Sequence, residues 1–155
     1  MSIGAFEHFG FDRYNAFFRR VYELLPHDGI MVLHTIVQAG TDELGVRNLP
    51  ITMRHLKFIK FIKDEIFPGG RLPSVALVED RAALAGFAVN RVQPLRLHYA
   101  RTLDHWSTAL QANEGEAVAI QSREVYDRYT RYLTGCAELF RDGYTDVCQF
   151  TLAKG

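Results

Sequence analysis

Apolar positions along the chain recur with two different periods. From Asp12 onward Tyr14, Phe17, Phe18, Val21, Leu24 and Leu25 return at spacings of three and four until Pro26 and Gly29, which predicts an amphipathic helix. The run GIMVLHTI (29–36) is nearly all apolar, the pattern of a central parallel strand covered on both faces, with His34 near its carboxyl end. Residues 38–50 carry Gly, Asp, Asn and Pro without a period and predict a connecting loop. Residues 52–66 are helical in pattern, and Phe67-Pro68-Gly69-Gly70 closes them. Ser74 caps a short helix that reaches Ala85 and stops at Gly86. A strand over 87–92, helices over roughly 98–112 and 122–142, and an alternating strand over 147–152 complete the chain, the last placing Cys148, Phe150 and Leu152 on one half-exposed strand's inner face.

The amino terminus is the exception. Residues 2–6 (SIGAF) form an apolar run that stops at Glu7 and His8, too short to stand alone in a sheet, and read as the tail of a longer strand. The order is thus strand tail, helix, strand, helices, strand, two helices, strand, the alternation of an α/β sheet with helices on its faces. Ligands of such sheets gather beyond the carboxyl ends of the strands. Glu7, His34 and Tyr99 stand at those ends and offer a carboxylate, an imidazole and a phenol, enough to bind a small anion or relay a proton. The plain alternatives are a helix-opening Glu7, a core histidine at 34 and a Tyr99 that fills a helix base.

Composition narrows the functional classes. At 155 residues, 48% hydrophobic and 23% charged, the chain has the balance of one globular domain. Eighteen basic residues against eighteen acidic ones give no net charge, which argues against nucleic acid as the partner. Two cysteines, Cys136 and Cys148, are too few for a disulfide framework, and no paired His or Cys spacing suggests a metal. The absence of a signal-peptide pattern and of a long uncharged apolar run leads to the expectation of a cytoplasmic protein without a transmembrane segment.

Three further features have two readings each. Cys136 shares a predicted apolar helix face with Val125, Tyr129, Tyr132, Leu133 and Phe140, and a buried, inert thiol is the plainer one. Arg54, Lys57, Lys60 and Lys63 place a cation every three residues opposite an apolar face of Met53, Leu56, Ile59, Ile62 and Ile66. Such a stripe suits an acidic carrier protein or a membrane surface, or is a solvated helix face. The one double glycine, Gly69-Gly70, follows a helix rather than a strand, so no nucleotide-type loop is present.

The stretches SIGAFEHFG (2–10), YNAFFRRVYELLPHDGIMVLHTI (14–36), KFIKDEIFPGGRLPS (60–74), RVQPLRLHYARTLDHWSTALQAN (91–113), AIQSREVYDRYTRYLTGCAELFR (119–141) and QFTLAKG (149–155) resemble the mycolic acid cyclopropane synthases and their methyl-transferring relatives, which depend on S-adenosylmethionine. The resemblance runs through the whole chain but covers only the C-terminal half of that family. It implies a single partial domain over 1–155, the second half of a class I, Rossmann-like methyltransferase fold with the first three strands missing, and helical acyl-channel insertions at about 52–85 and 98–142. The glycine-rich loop and the acidic residue that hold S-adenosylmethionine belong to the missing segment.

For chemistry, the resemblance implies methyl transfer to the double bond of a long acyl chain on an acyl carrier protein. The resulting carbocation closes to a cyclopropane on loss of a proton, with bicarbonate as the base. Glu7, His34 and Tyr99 match the residues that hold the bicarbonate, with the backbone amide of Gly4 beside them, and Cys136 in YLTGC matches the cysteine given as an active-site residue. A half of this kind is expected to need a complementing N-terminal half or to self-associate through its sheet edge. The rival expectation is a non-catalytic remnant that binds acyl chains or a partner.

Overall fold

A computed structural model describes residues 1–155. Its centre is a four-stranded sheet in the order β1-β2-β4-β3, built from β1 (Ser2–Ile3), β2 (Ile30–Gln38), β3 (Phe87–Pro94) and β4 (Thr145–Lys154). β1 runs parallel to β2, with Ile3 opposite His34, while β4 lies antiparallel between β2 and β3. Helices cover both faces. α1 (Tyr14–Leu24) and α4 (Val75–Leu84) pack on one side, with Tyr14, Phe18, Val78 and Ala82 against Leu33, Phe150 and Leu152. α5 (Arg96–Ala112) and α7 (Arg123–Asp142) pack on the other, where Leu103, Leu133, Ala137 and Phe140 enclose Val147.

Local signals in the chain place most of these elements. Ser74 Oγ accepts from the Leu77 amide and opens α4, and Ser122 Oγ accepts from Val125 and opens α7. Gly143 at φ 89° ends α7 in the left-handed conformation. Lys154, at the end of β4, donates to the carbonyls of Tyr22 and Leu25 at 2.7 and 2.8 Å and so caps α1 with a cation at its negative end.

Several expectations are corrected. The residues read as a loop over 38–50 include α2 (Thr41–Val46), a short helix whose Gly40 amide donates to Glu43. β2 is longer than its apolar run and reaches Gln38, so His34 sits mid-strand. β2 is parallel only to the two residues of β1, and its burial alternates, with Met31, Leu33, Thr35 and Val37 fully inside. The final strand, read as half-exposed, buries Cys148, Phe150 and Leu152 as expected and lies between β2 and β3, which bond to its two edges. A further helix, α6 (Glu114–Ile120), separates α5 from α7.

The basic helix departs most from its reading. α3 (Met53–Phe61), which continues as a π-helical turn over Ile62–Ile66, buries Phe61 and turns Met53 (67% exposed), Leu56 (48%) and Ile59 to solvent beside its lysines. The two large aromatic rings, Phe58 and Phe61, give more burial per residue than the aliphatic set and decide which face turns inward.

Candidate active site

The site begins where β1 ends. Gly4, at φ 62°, takes a left-handed turn open to glycine, and its amide donates to the His34 carbonyl at 3.1 Å. The chain then folds into a 3-10 turn, Phe6–His8, that tucks Phe6 against α1 and buries Glu7 to 8% exposure. Phe6 stacks on Tyr14 with ring centroids 3.8 Å apart and also meets Phe9, Phe17 and Phe18. An aromatic cluster thereby fixes the backbone that carries the carboxylate.

Glu7 lies across the edge of the sheet. Its Oε2 accepts a 2.7 Å hydrogen bond from Thr35 Oγ1, on the α1 face of β2. Its charge also reaches Tyr99 on α5, which packs with the opposite cluster: burial first, then the charges at Cys136 and Glu7, raise the Tyr99 phenol above its ordinary value. Tyr99 therefore keeps its proton as a donor across the neutral range.

His34 belongs to that second face. The register sets it opposite Gln149, and Gln149 Nε2 lies 3.2 Å from His34 Nδ1. With the amide nitrogen as donor, Nδ1 accepts and the neutral ring carries its hydrogen on Nε2, free for a ligand. Around these groups stand aromatic rings. Tyr99 meets Phe140 edge-on at 5.0 Å and Trp106 at 6.5 Å, and Phe67 bridges His8 and Tyr132, each at 6.0 Å. Burial, followed by the charges at Cys136, Tyr99 and Tyr129, raises the Tyr132 phenol.

Cys136 sits among these rings, and burial pushes its thiol up to about 12. It is uncharged at neutral pH, so the geometry gives it no nucleophilic character and makes it part of an apolar wall. The Gly4 amide is likewise committed, its hydrogen pointing into the β1–β2 ladder rather than toward a ligand. Glu7, Tyr99 and Cys136 thus share one electrostatic neighbourhood, and His34 adjoins it through Gly4.

Thr35, Gln149 and Tyr14 are the polar neighbours that sequence reading missed. Thr35 follows His34 directly, and period-two alternation could have flagged it as the inward neighbour on the other face, but only the fold brings Glu7 to it. Gln149 meets His34 through a strand register that no local signal encodes.

The junctions that follow β2 and β3 are occupied. The Gly40 amide is bonded to Glu43, and the Leu95 amide to Asp146 Oδ1 at 3.1 Å and to the Val147 carbonyl at 2.8 Å. Those two amides are engaged within the chain and are not offered to a nucleoside or its carboxylate. An open, largely polar groove of about 780 Å³ lies elsewhere, between α3 and α7, and none of Glu7, His34 or Tyr99 lines it. No group of three or more His, Cys, Asp or Glu side chains is placed to hold a metal, and no helix is long and apolar enough to cross a membrane.

A half-sheet of this order, with a polar cluster at the end of its parallel strand and helices on both faces, is the second half of an S-adenosylmethionine-dependent methyltransferase fold. The chain superposes on the cyclopropane synthase MmaA2 from Mycobacterium tuberculosis with a TM-score of 0.96 at 56% identity, covering 99% of this chain and 54% of that one. It superposes on the mycolic acid cyclopropane synthase CmaA1 complexed with SAH and CTAB with a TM-score of 0.92 at 59% identity and the same coverage. The family model for mycolic acid cyclopropane synthetase matches residues 1–150, and the chain belongs to that family. Cyclopropane mycolic acid synthase 1 of Mycobacterium tuberculosis is 59% identical over 154 residues, 99% of this chain and 54% of the relative. The chain therefore spans about half the length of the curated relatives it matches.

Proposed function

We propose that these residues are the acid–base and acyl-binding half of a cyclopropane mycolic acid synthase, working with a methyl-donor half that lies outside them. The observation that carries this reading is that Glu7, bonded to Thr35 on the α1 face of β2, also acts electrostatically on Tyr99 in the opposite layer. Glu7 accepts, while the Tyr99 hydroxyl and His34 Nε2–H donate, and a bicarbonate matches that set. S-Adenosylmethionine is the methyl source of the whole enzyme. In this reading the chain's own residues would hold the base that takes a proton from the newly transferred methyl group, which sits on the carbon beside the cation: that methyl C–H bond breaks, its electron pair closes the ring onto the cationic carbon, and the proton passes to the held base.

Fixed donors around the base avoid solvent reorganisation, and the rings of Tyr132, Phe67 and Trp106 favour a cation while excluding water. Cys136 belongs to this wall as a neutral thiol. The Gly4 amide holds β1 against β2 and so positions the turn that carries Glu7. The substrate is a long acyl chain presented by an acyl carrier protein in the cytoplasm. Lys57 on α3 and Lys63 on the turn that follows it are exposed and make no ion pair, unlike Lys60, which bonds Asp64, and are available to an acidic carrier.

The test is reconstitution. This chain, mixed or co-expressed with the N-terminal half of a relative, should transfer labelled methyl groups to an unsaturated acyl carrier substrate, and neither half alone should do so. Glu7→Gln should lower turnover by about 10²–10⁴-fold with little change in substrate binding. A folded complex without transfer would favour the second reading, a partner- or acyl-binding fragment, which the exposed edge beside β1 supports.

A further inference from the structure

We propose that Thr35 is a positioning residue that holds Glu7 as an acceptor toward a ligand, so that its site selects an oxyanion that carries its own hydrogen and rejects one that does not. This rests on reading Glu7, His34 and Tyr99 as an anion site. Thr35 is fully buried, and its hydroxyl has a single hydrogen. That hydrogen lies on Glu7 Oε2 at 2.7 Å, much closer than the 3.4 Å contact of the same hydroxyl with the Ile36 carbonyl. A β-branched residue inside a paired strand has little rotamer freedom, so the donor is rigid. It fixes one carboxylate oxygen and leaves Oε1 for a ligand.

Tyr14 reinforces the arrangement. Its ring is fully buried and stacked on Phe6, immediately before Glu7, and its hydroxyl makes no hydrogen bond to another protein atom. Burial first, and then the negative charge of Glu7, push its phenol up to about 12, with Arg71 acting in the opposite direction. Tyr14 thus keeps its hydrogen, and its stacked ring braces the turn before Glu7. Thr35 spends its one hydrogen on Oε2, and a carboxylate held in this way presents lone pairs to a ligand.

The consequence is discrimination by hydrogen rather than by shape. Bicarbonate and nitrate are both planar, three-oxygen monoanions. Bicarbonate has an O–H to set against Glu7 Oε1 and further oxygens for Tyr99 and His34. Nitrate has no hydrogen and meets the carboxylate as like charge against like, which is selection by repulsion as well as by attraction.

The experiment titrates ¹³C-labelled bicarbonate into the purified chain, follows binding by NMR line broadening, and repeats the titration with nitrate as competitor. The unaltered chain should bind bicarbonate at least about tenfold better than nitrate, the scale of one hydrogen bond to a charged group. Thr35→Val should remove most of that preference, whereas Thr35→Ser, which keeps the hydroxyl, should retain it. Tyr14→Phe, which keeps the ring stacked on Phe6, should leave the preference unchanged. Failure of the unaltered chain to bind bicarbonate overturns the anion-site reading and this inference with it. Bicarbonate binding with an undiminished preference in folded Thr35→Val overturns the inference alone. If Thr35→Val does not fold, Thr35→Ala decides: an undiminished preference there overturns the proposal.

Discussion

Glu7 joins the two faces of the sheet at the scale of single residues, held by Thr35 on one side and acting on Tyr99 from the other. Glu7, His34 and Tyr99 were legible in the sequence as a carboxylate, an imidazole and a phenol near predicted strand ends, although β2 runs on to Gln38 and leaves His34 mid-strand. Thr35 and Gln149 were not, because each meets its partner through pairing between segments distant in the chain. The thiols give a testable property. Burial pushes both Cys136 and Cys148 up to about 12, from 9.0 for a free thiol. Between those values the unfolded chain has lost the protons that the folded chain still binds, so stability present below about pH 9 falls as pH rises toward the folded values. The melting midpoint should decline over this window, and Cys136→Ala should make the decline shallower than in the unaltered chain. Neither thiol should react with a thiol reagent at pH 7 faster than the fold opens.

At the scale of elements, caps and close approaches decide more than propensity. Ser74→Ala removes the cap of α4 and should lower stability by about 1 kcal/mol in denaturant unfolding. Gly135 on α7 faces α3 so closely that an added Cβ would stand 2.2 Å from the Phe58 ring. Gly135→Ala should therefore destabilise by about 1–3 kcal/mol, and Phe58→Leu in the same chain should recover part of the loss. The contact explains why the helical pattern of 52–66 was read correctly while its inward face was not. Periodicity identified the helix, but the direction it faces follows from where a glycine on another helix admits an aromatic ring. α2 escaped notice for a different reason: its six residues are too few for a period to emerge.

For the whole molecule, the alternation of strands and helices was enough to give the layers, and the position of β4 was not, since a strand at the end of the chain carries no local mark of being central. The outer side of the sheet is covered by only two residues of β1, and Ile3 and Ile30 there are 62% and 61% exposed. Unpaired strand backbone flanked by apolar side chains is a template for association. The isolated chain should sediment as an assembly whose size grows with concentration, and lysine at Ile3 and Ile30 should reduce it. A sharp monomeric boundary in the unaltered chain would show that the edge is protected.

The central claim is that these residues carry the acid–base side of the synthase site and not the methyl-donor side. Its most direct test is a thermal melt of the purified chain with bicarbonate and, separately, with S-adenosylmethionine, since a ligand at about a hundred times its dissociation constant adds about 2.7 kcal/mol to the folded state. Bicarbonate is expected to raise the midpoint, an effect lost in Glu7→Gln, and S-adenosylmethionine to leave it unmoved. A midpoint raised by S-adenosylmethionine, or unmoved by bicarbonate, would contradict the claim.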